Sequence, residues 1–564
     1  MSKIKILLIV VTAAFLISCV RSSLPEAKAK VIPVNTSEKG EFRISFLYRF
    51  NQLGFKTLDT KTAVLMSESE LSGKTFYLKE SKSNNTVFQG MLDISGPAWG
   101  TFPKTYVIDF SSVSTPGSYY LDVESYKSTT IRIGNEIYQG VVDSLLKFFR
   151  VQRCGPTNPI LHEPCHLSDC ATVIGDPAKG GADLTGGWHD AGDYTKFLNT
   201  TAFTTYLLLF SYEFNKSKLE TDLNSNGAPD ILEEARVGLD WLLRCNYERN
   251  KLVIQVQDTR DQSVGWRLPE NDPLKFDRPA FAGMGKNLIG IYAAALAIGS
   301  RIWRERFSDN DFSDKLLKAA NEIFALRKTA PDLDKTPEGM YQDSKFLGKL
   351  ALGTIEMYIT TKDHNLLEEA AGYAVKAGSD YWWSWGDVNS LAQYRVAKFK
   401  PELTYLLESN LTGFTETSAK SSFGEATAYT WGTTHAFLGA SLQSILYNDL
   451  TKNNTYKRLS DSQIDYVLGK NPWGVSFIYG IGSRFTKNFH SQVAYFNGGY
   501  LPGGVAAGPA PAELLSQFKI DRKNFVYNKF NSSEILYYDD RNDYITNEPT
   551  IVTNATAVFV FSNK

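Results

Sequence analysis

The chain has 564 residues, with 60 Lys plus Arg against 61 Asp plus Glu and a formal net charge of −1. That balance leaves no electrostatic footprint for nucleic acid, and 43% apolar with 21% charged residues is a globular composition rather than a disordered one. Aromatic residues reach 13%, which fits either a large aromatic core or a cleft that stacks on flat apolar faces.

The first residues read as an export signal. Lys3 and Lys5 precede the apolar run Ile6–Ile17, too short for an ordinary membrane span, and Leu16-Ile17-Ser18-Cys19 follows. The Leu-x-Ser-Cys pattern resembles the bacterial lipobox, in which the cysteine is lipidated and becomes the mature N-terminus. Residues 1–19 are therefore expected to be a lipoprotein signal peptide. Cys19 would carry the lipid and residues 20–38 would form a polar tether. The expected location is the outer membrane, on its periplasmic or external face.

From 39 to 134 the pattern is short and alternating. Seven strand-like runs, Phe42–Phe50, Ala63–Met66, Thr75–Lys79, Thr86–Asp93, Thr105–Phe110, Ser118–Val123 and Thr129–Ile133, are separated by turn signals such as Thr115-Pro116-Gly117. This spacing predicts a small immunoglobulin-like β-sandwich. It holds no cluster of acids, histidines or cysteines, and reads as a packing module.

From 135 to 564 the period turns helical, over Ile137–Arg150, Ile231–Arg244, Leu288–Trp303, Phe312–Leu326, Phe346–Tyr358, Leu366–Ala377, Thr433–Leu446 and Ser460–Leu468. A dozen or so helices with almost no strands predict a mainly α domain, its long Gly- and aromatic-rich loops being where function tends to sit.

Four stretches in those loops carry chemistry. Cys154, Cys165 and Cys170 crowd around His162 and His166, which suggests a metal clip more than a disulfide framework. Gly186-Gly187-Trp188-His189-Asp190-Ala191-Gly192-Asp193 sets two carboxylates three apart around small residues, able to hold one water between them or, read blandly, forming a solvated turn. Asp222, Asn224, Asn226, Ala228, Asp230 and Glu233 follow the spacing of a calcium loop, although Pro229 is unusual there and an Asx-rich helix cap is the plain alternative. Asp539 to Glu548 is a run of acids before an apolar stretch, with Glu548 expected to open the last helix.

Taken together these motifs resemble family 9 of the glycoside hydrolases, the cellulase family with a six-hairpin (α/α)6 barrel. Asn51–Phe55 looks like the opening of that family's N-terminal immunoglobulin-like module and Phe148–Gly155 like the entry to its barrel. Gly187–Asp193, Asn471–Gly480 and Asp539–Glu548 look like three signature segments. The resemblance implies an inverting hydrolase of β-1,4-glucans, most simply an endoglucanase. Asp193 would be the general base, Asp190 its partner in holding water, and Glu548 the general acid. It also implies structural zinc on Cys154, Cys165, His166 and His189, with a Cys154–Cys165 disulfide or buried free thiols as alternatives. Calcium at 222–233 is compatible with the family, and no organic cofactor is implied.

One departure touches specificity. Where the family has a Pro-His-His-Arg stretch, this chain has Phe489-His490-Ser491-Gln492, so His490 can still donate to a sugar but Gln492 lacks the guanidinium fork. Xyloglucan, mixed-linkage glucan, or exo-action on short β-glucosidic or glucosaminidic oligomers therefore stay open, as does a silent glycan-binding lipoprotein. For sugar contact the loop aromatics Trp266, Trp431, Trp473 and Tyr429 are expected in the cleft, with Trp382, Trp383 and Trp385 read as core. The expected partners are a β-glucan and the membrane through Cys19, with the protein a monomer.

Overall fold

Two cores are built from one strand. In β2 (Thr62–Ser67), which follows β1 (Phe46–Arg49), every residue is buried. Ala63 and Leu65 face the sandwich interior, while Val64 and Met66 join the helical core. A strand with apolar cover on both faces needs no polar alternation, and that is why the run Ala63–Met66 is unbroken. The computed structural model describes residues 46–564 apart from 94, 170–172, 176–180, 275–277, 336–340 and 381. The lipobox, the tether and Cys170 lie outside the described residues.

The sandwich continues with β3 (Thr75–Glu80), β4 (Thr86–Met91), β5 (Lys104–Asp109), β6 (Gly117–Val123), β7 (Tyr126–Lys127) and β8 (Ile131–Ile133). One sheet has the order β1-β2-β5; the other runs β4-β3-β6, with β7 and β8 both paired to β6. All of these pairings are antiparallel.

Twelve helices of nine residues or more follow among the described residues. They are α1 (Val141–Gln152), α2 (Leu198–Phe214), α3 (Asp230–Cys245), α4 (Lys286–Phe307), α5 (Asn310–Phe324) and α6 (Leu347–Thr361). The second half comprises α7 (Asn365–Ala377), α8 (Asn389–Ala397), α9 (Tyr405–Ser418), α10 (Thr433–Thr451), α11 (Lys457–Val467) and α12 (Ile551–Ser562). Odd-numbered helices carry one apolar stripe. Even-numbered ones are buried nearly all round, as inner helices must be. The inner helices touch in the closed cycle α2–α4–α6–α8–α10–α12–α2, which makes the domain an (α/α)6 barrel. No described helix is long and apolar enough to cross a membrane.

The structure corrects three expectations. A small sheet does exist in the helical region, in the order Lys196–Phe197, Leu252–Val256, Ala280–Gly283, Val173–Ile174. Helices α2, α8 and α9 were not among the helices expected from the sequence; α2 and α8 are buried on every side, with polar residues among the buried ones. Glu548 does not open the last helix. It ends the short turn Tyr544–Asn547 in extended backbone, as a residue before Pro549 must, and α12 starts three residues later under a Thr550 cap.

The sandwich is fastened to the barrel by buried polar groups. Asn51 donates to Asp465 Oδ1 and to the Tyr138 hydroxyl, each at 2.9 Å, and its carbonyl caps Leu53 N–H at 3.0 Å. Arg49 Nε reaches Pro472 O at 2.9 Å, and Thr60 N–H reaches Asp461 at 2.8 Å. Asn51→Ala leaves the buried Asp465 without that donor and should cost about 1–3 kcal/mol of stability, read from the urea midpoint. An unchanged midpoint would mean that the interface carries no such load.

Candidate active site

The site begins with a backbone ladder. His189 N–H donates to Gln152 O at 2.8 Å and Cys154 N–H to Gly187 O at 2.9 Å, so the end of α1 and the Gly187–His189 segment lie antiparallel. Gly186 and Gly187 have φ of +89° and +74°, and a Cβ on Gly187 would come within 2.7 Å of Trp241. Only glycine fits there. Gly155 N–H then donates to Cys165 O at 3.0 Å, which folds the next loop back onto the ladder.

That folding gathers Cys154, Cys165, His166 and His189, all buried, with their ligand atoms within 4.8 Å of one another. Cys154 Sγ lies 3.6 Å from His166 Nδ1, Cys165 Sγ 3.9 Å from His189 Nε2, and the two ring nitrogens 3.1 Å apart. A tetrahedral ion with bonds of about 2.0–2.3 Å needs ligand–ligand edges of roughly 3.3–3.8 Å, so the donor set fits. Both cysteines are free thiols, which removes the disulfide alternative. The far nitrogen of His166 donates to Asp272 Oδ2 at 3.0 Å, the outer-shell carboxylate that fixes a ligating imidazole.

The same ladder aims the acids. Asp190 N–H bonds Thr195 O at 2.9 Å, Thr195 N–H returns to Asp193 Oδ1 at 3.0 Å, and Tyr194 N–H is held by the buried Asp261 at 3.1 Å. Asp190 is buried; Thr200, in the first turn of α2, donates to its Oδ1, and the Tyr341 hydroxyl lies beside the same carboxyl. Burial raises Asp190 to about 6. Asp193 is pushed to about 7 by burial, then by the charge of Asp261 and that of Asp190.

Glu548 arrives from the far end of the chain. Its Oε1 accepts Gly192 N–H at 3.2 Å, and burial with the charges of Asp193 and Asp190 raises it well above the usual carboxylate range. The other acids of its segment are spent. Asp539 accepts the N–H groups of Lys487 and Asn488, Asp540 those of Lys523, Asn524 and Asn542, and Asp543 caps Ile545 and Thr546. Three carboxylates with separate proton affinities thus share one site.

The sugar-contact candidates divide. Trp266 is half-buried with its ring 5.3 Å from that of His490, and Trp431 is 38% exposed beside Tyr544. Trp473 is fully buried between Trp99 and Tyr537, its Nε1 donating to Asn531, so it is core and not cleft. The Tyr429 hydroxyl is taken by Glu425 and Tyr466 in the same interior. Gln492 turns its Oε1 to Arg267 N–H at 3.1 Å, bracing that loop. His490 donates from Nδ1 to Arg541 O at 2.8 Å, and burial lowers its pKa, so its free Nε2 is an acceptor rather than the donor anticipated.

In the 222–233 loop, Asn224 and Asn226 donate to Glu233, while Asp222 accepts the N–H groups of Asn226 and Gly227. Asp230 is engaged by Leu223 N–H instead, and Ala228 N–H by Asn226.

Sequence reasoning missed Tyr341, whose phenol stands within electrostatic reach of Asp190, Glu548 and Asp193, between the rings of Phe197 and Trp385. It also missed Thr200, and Gln152, which donates to His189 O and Ala191 O. A lone tyrosine in an irregular loop and a threonine in a helix carry no spacing signal.

Residues 138–561 match the family model of Glycosyl hydrolase family 9. The chain belongs to that family. Residues 48–128 match the cellulase N-terminal ig-like domain. Endoglucanase D of Acetivibrio thermocellus is 26% identical over 89% of this chain and 81% of its own length. A xyloglucan-specific endo-beta-1,4-glucanase of Bacteroides ovatus is 25% identical over 91% and 93%. A metagenome-derived family 9 endoglucanase superposes with a TM-score of 0.77 at 26% identity, covering 92% of this chain and 98% of that one. This family 9 protein is a glycoside hydrolase, and the fold expected from its motifs is the fold it has.

Gly192 is the tightest point of the site. Its N–H serves Glu548, its carbonyl accepts Gln492 N–H at 3.2 Å, and an added Cβ would stand 2.0 Å from His490 O. Gly192→Ala should push the His490 segment away and lower kcat/KM by about 100-fold, the cost of an ångström-scale misplacement. Near-parental kcat/KM would show that the crossing is slack.

Proposed function

We propose that this protein is an inverting β-1,4-glucan hydrolase of the endoglucanase type, acting through Asp193, Asp190 and Glu548. The observation that carries this reading is the meeting of three carboxyl groups at one crossing, where Glu548 Oε1 accepts the N–H of Gly192, the residue before Asp193, at 3.2 Å. Burial raises all three, Glu548 well above the usual carboxylate range and Asp193 and Asp190 to about 7 and about 6. Asp193 takes a proton from the attacking water, whose second hydrogen bond is received by Asp190, held in place by Thr200. Water oxygen bonds to the anomeric carbon as the bond to the leaving oxygen breaks, and Glu548 gives that oxygen its proton. The Gly192 N–H then stabilises the glutamate anion left behind.

Cys154, Cys165, His166 and His189 would hold zinc as a structural ion, the closed four-ligand set leaving no position for substrate. Its contribution is to pin the loop on which Asp190 follows His189. Calcium at Asp222, Asn224, Asn226, Ala228, Asp230 and Glu233 is proposed as a stabiliser of the entry to α3, and Cys19 as the site of a lipid that places the enzyme on the outer membrane.

Glu548→Gln tests the assignment. Turnover of soluble cellulose and xyloglucan should fall by about 10²–10⁴, the usual worth of a general acid. Persistence of the parental rate would remove Glu548 from its role. A carboxyl whose folded pKa is raised favours the folded state only while protonated, so its stabilising contribution is complete below pH about 4 and is lost as pH rises through the folded pKa. The same variant should therefore gain stability over the parent at pH 8 relative to pH 4. Equal shifts at both pH values would contradict the raised pKa.

The pH dependence of kcat/KM should rise through about 7 as Asp193 ionises and fall at higher pH as Glu548 loses its proton. A profile flat from pH 5 to 8 would rule out Asp193 as the base.

Elemental analysis should return one zinc per chain, and none for Cys154→Ser with Cys165→Ser. Chelation should lower Tm in the parent and leave the double variant unmoved. A parent free of zinc with an unchanged Tm would dismiss the metal.

A further inference from the structure

The segment from Gln517 to Phe530 is basic in a chain that is not. It carries Lys519, Arg522, Lys523 and Lys529 against Asp521 alone, while the whole chain has a formal net charge of −1. Arg522 is spent on Asp543 at 2.6 Å, and the three lysines are exposed. Lys523 meets Asp521 at 3.3 Å, an exposed pair that water and salt weaken. Two further exposed cations stand beside the segment. The charge of Arg484 bears on Tyr527, and Asp539 joins Lys487 to Asn524, accepting the Lys487 N–H on its side chain at 3.1 Å and the Asn524 amide on its carbonyl at 2.7 Å.

The tip of the segment is apolar. Phe525 is 53% and Val526 60% exposed, side by side. The backbone under them is fixed: Asp540 accepts the N–H groups of Lys523 and Asn524, and the next two rings, Tyr527 and Phe530, are buried, Phe530 under the Arg49 guanidinium at 4.8 Å. A well-tied loop thus holds two large apolar side chains in water among lysines. That is the composition of an interfacial membrane element, in which apolar groups enter the acyl boundary and ammonium groups meet lipid phosphates. A neutral glucan offers nothing to the cations, and Val526 has no flat face for a sugar.

The chain outside the described residues argues for the same occupant. Residues 20–45 separate Cys19 from Phe46, where β1 begins, and can span at most about 90 Å. Arg49, which covers Phe530, is the other end of β1, so the tether joins the folded body one short strand, about 10 Å, from that residue. A tether of such reach does not itself orient the body. The face with affinity for lipid decides how it sits.

We propose that the Gln517–Phe530 loop docks on an anionic lipid bilayer, with Phe525 and Val526 in the acyl boundary and Lys519, Lys523, Lys529, Arg484 and Lys487 on headgroup phosphates. The proposal rests on the lipid-anchor reading of Cys19 for the membrane it meets, whereas the loop's own affinity for lipid needs no acyl chain. Phe518, at the start of the loop, packs on Trp431 and Tyr544 with ring centres 5.6 and 6.0 Å apart, so a seated loop fixes the height of those rings above the bilayer.

The test uses the full chain with Cys19→Ser, which cannot be acylated, and Val526→Cys labelled with nitrobenzoxadiazole; Cys154, Cys165 and Cys245 are buried. On vesicles of phosphatidylglycerol and phosphatidylethanolamine the label should shift to the blue and brighten, and on phosphatidylcholine vesicles far less. The same label at Val375→Cys, an exposed position on α7, should stay as in water. Lys523→Gln with Lys529→Gln should raise the half-saturating lipid concentration about 25-fold, a factor of roughly five for each basic side chain near an anionic surface. Salt near 1 M, where the screening length is about 3 Å, should weaken binding likewise. Phe525→Ser should raise the concentration about tenfold in a protein of unchanged circular dichroism. A label that stays in water on every vesicle, or equal shifts on anionic and neutral lipid, would overturn the docking. A shift with soluble polygalacturonate and none with vesicles would overturn it in favour of an acidic glycan. Mass spectrometry of Cys19 in the parent's membrane fraction separates the two readings. An acylated Cys19 with an unmoved label leaves the anchor and sinks the docking, whereas a blue shift with an unmodified Cys19 supports the docking and sinks the anchor.

Discussion

The mouth of the barrel depends on a buried cluster of opposite charges. Lys196 and Arg278 grip Asp169 at 2.7 and 2.6 Å, while Arg267 holds Asp261 at 2.7 Å and Asp272 at 3.0 Å. All six side chains are almost wholly excluded from water. Three acids against three bases leave no net charge, which is the condition under which such a cluster survives burial; taking away one member strands its partner at about 3–5 kcal/mol. The segment that carries His166, Gly186, Asp190 and Asp193 is tied to it. Asp261 holds Tyr194 N–H, Arg278 holds Tyr194 O at 2.8 Å, Asp272 holds His166, and Lys196 reaches both Leu184 O and Gly186 O. Such ion clusters are poor sources of stability compared with apolar packing. Their return here is positional: they fix one geometry for a loop that has almost no regular secondary structure of its own.

The cluster also sets the chemistry, because neutralisation is local rather than complete. Asp261 is paired with Arg267 on one side, yet its charge still bears on Asp193 and raises that carboxyl. A structural ion pair thus tunes the group beside it. Glu548 is raised by burial first and then, in the same way, by the charges of Asp193 and Asp190. The separation of proton affinities that an acid and a base require comes from where each stands in a shared field, with one backbone donor, Gly192 N–H, held ready for the anion that forms.

How much of this was legible in the sequence differs by level. The sandwich was readable from alternation, and most helices, the inner α4, α6 and α10 among them, from their apolar runs. Helices α2 and α8 were opaque because their buried polar residues, the threonines of α2 and Asn389, Gln393 and Arg395 of α8, break the apolar pattern that burial would otherwise impose. The carboxylates were readable only as parts of motifs. What separates Glu548 from Asp539, Asp540 and Asp543 is where it lands, against Gly192 and within reach of Asp190 and Asp193, while the other three each accept two or more backbone N–H groups elsewhere. Trp473 misled for a related reason: its loop position suggested a cleft, whereas an indole N–H satisfied by Asn531 lets the ring be fully buried. Thr200 donates to Asp190 Oδ1 and the Tyr341 phenol stands beside the same carboxyl, contacts in space that a linear pattern does not encode.

Position 492 shows how chemistry and specificity are kept apart in this fold. Its backbone N–H donates to Gly192 O, and that bond, with His490 N–H on Asn547 O, stitches the three catalytic segments together. Neither bond depends on the side chain. The side chain instead braces Arg267, the neighbour of Trp266 in the chain. The loop that bears Trp266 is thus held by a side chain, while the crossing of the Gly192, Asn547 and His490 segments is held by backbone alone, so the 492 side chain can change without loosening the bonds that bring the three carboxyl groups together.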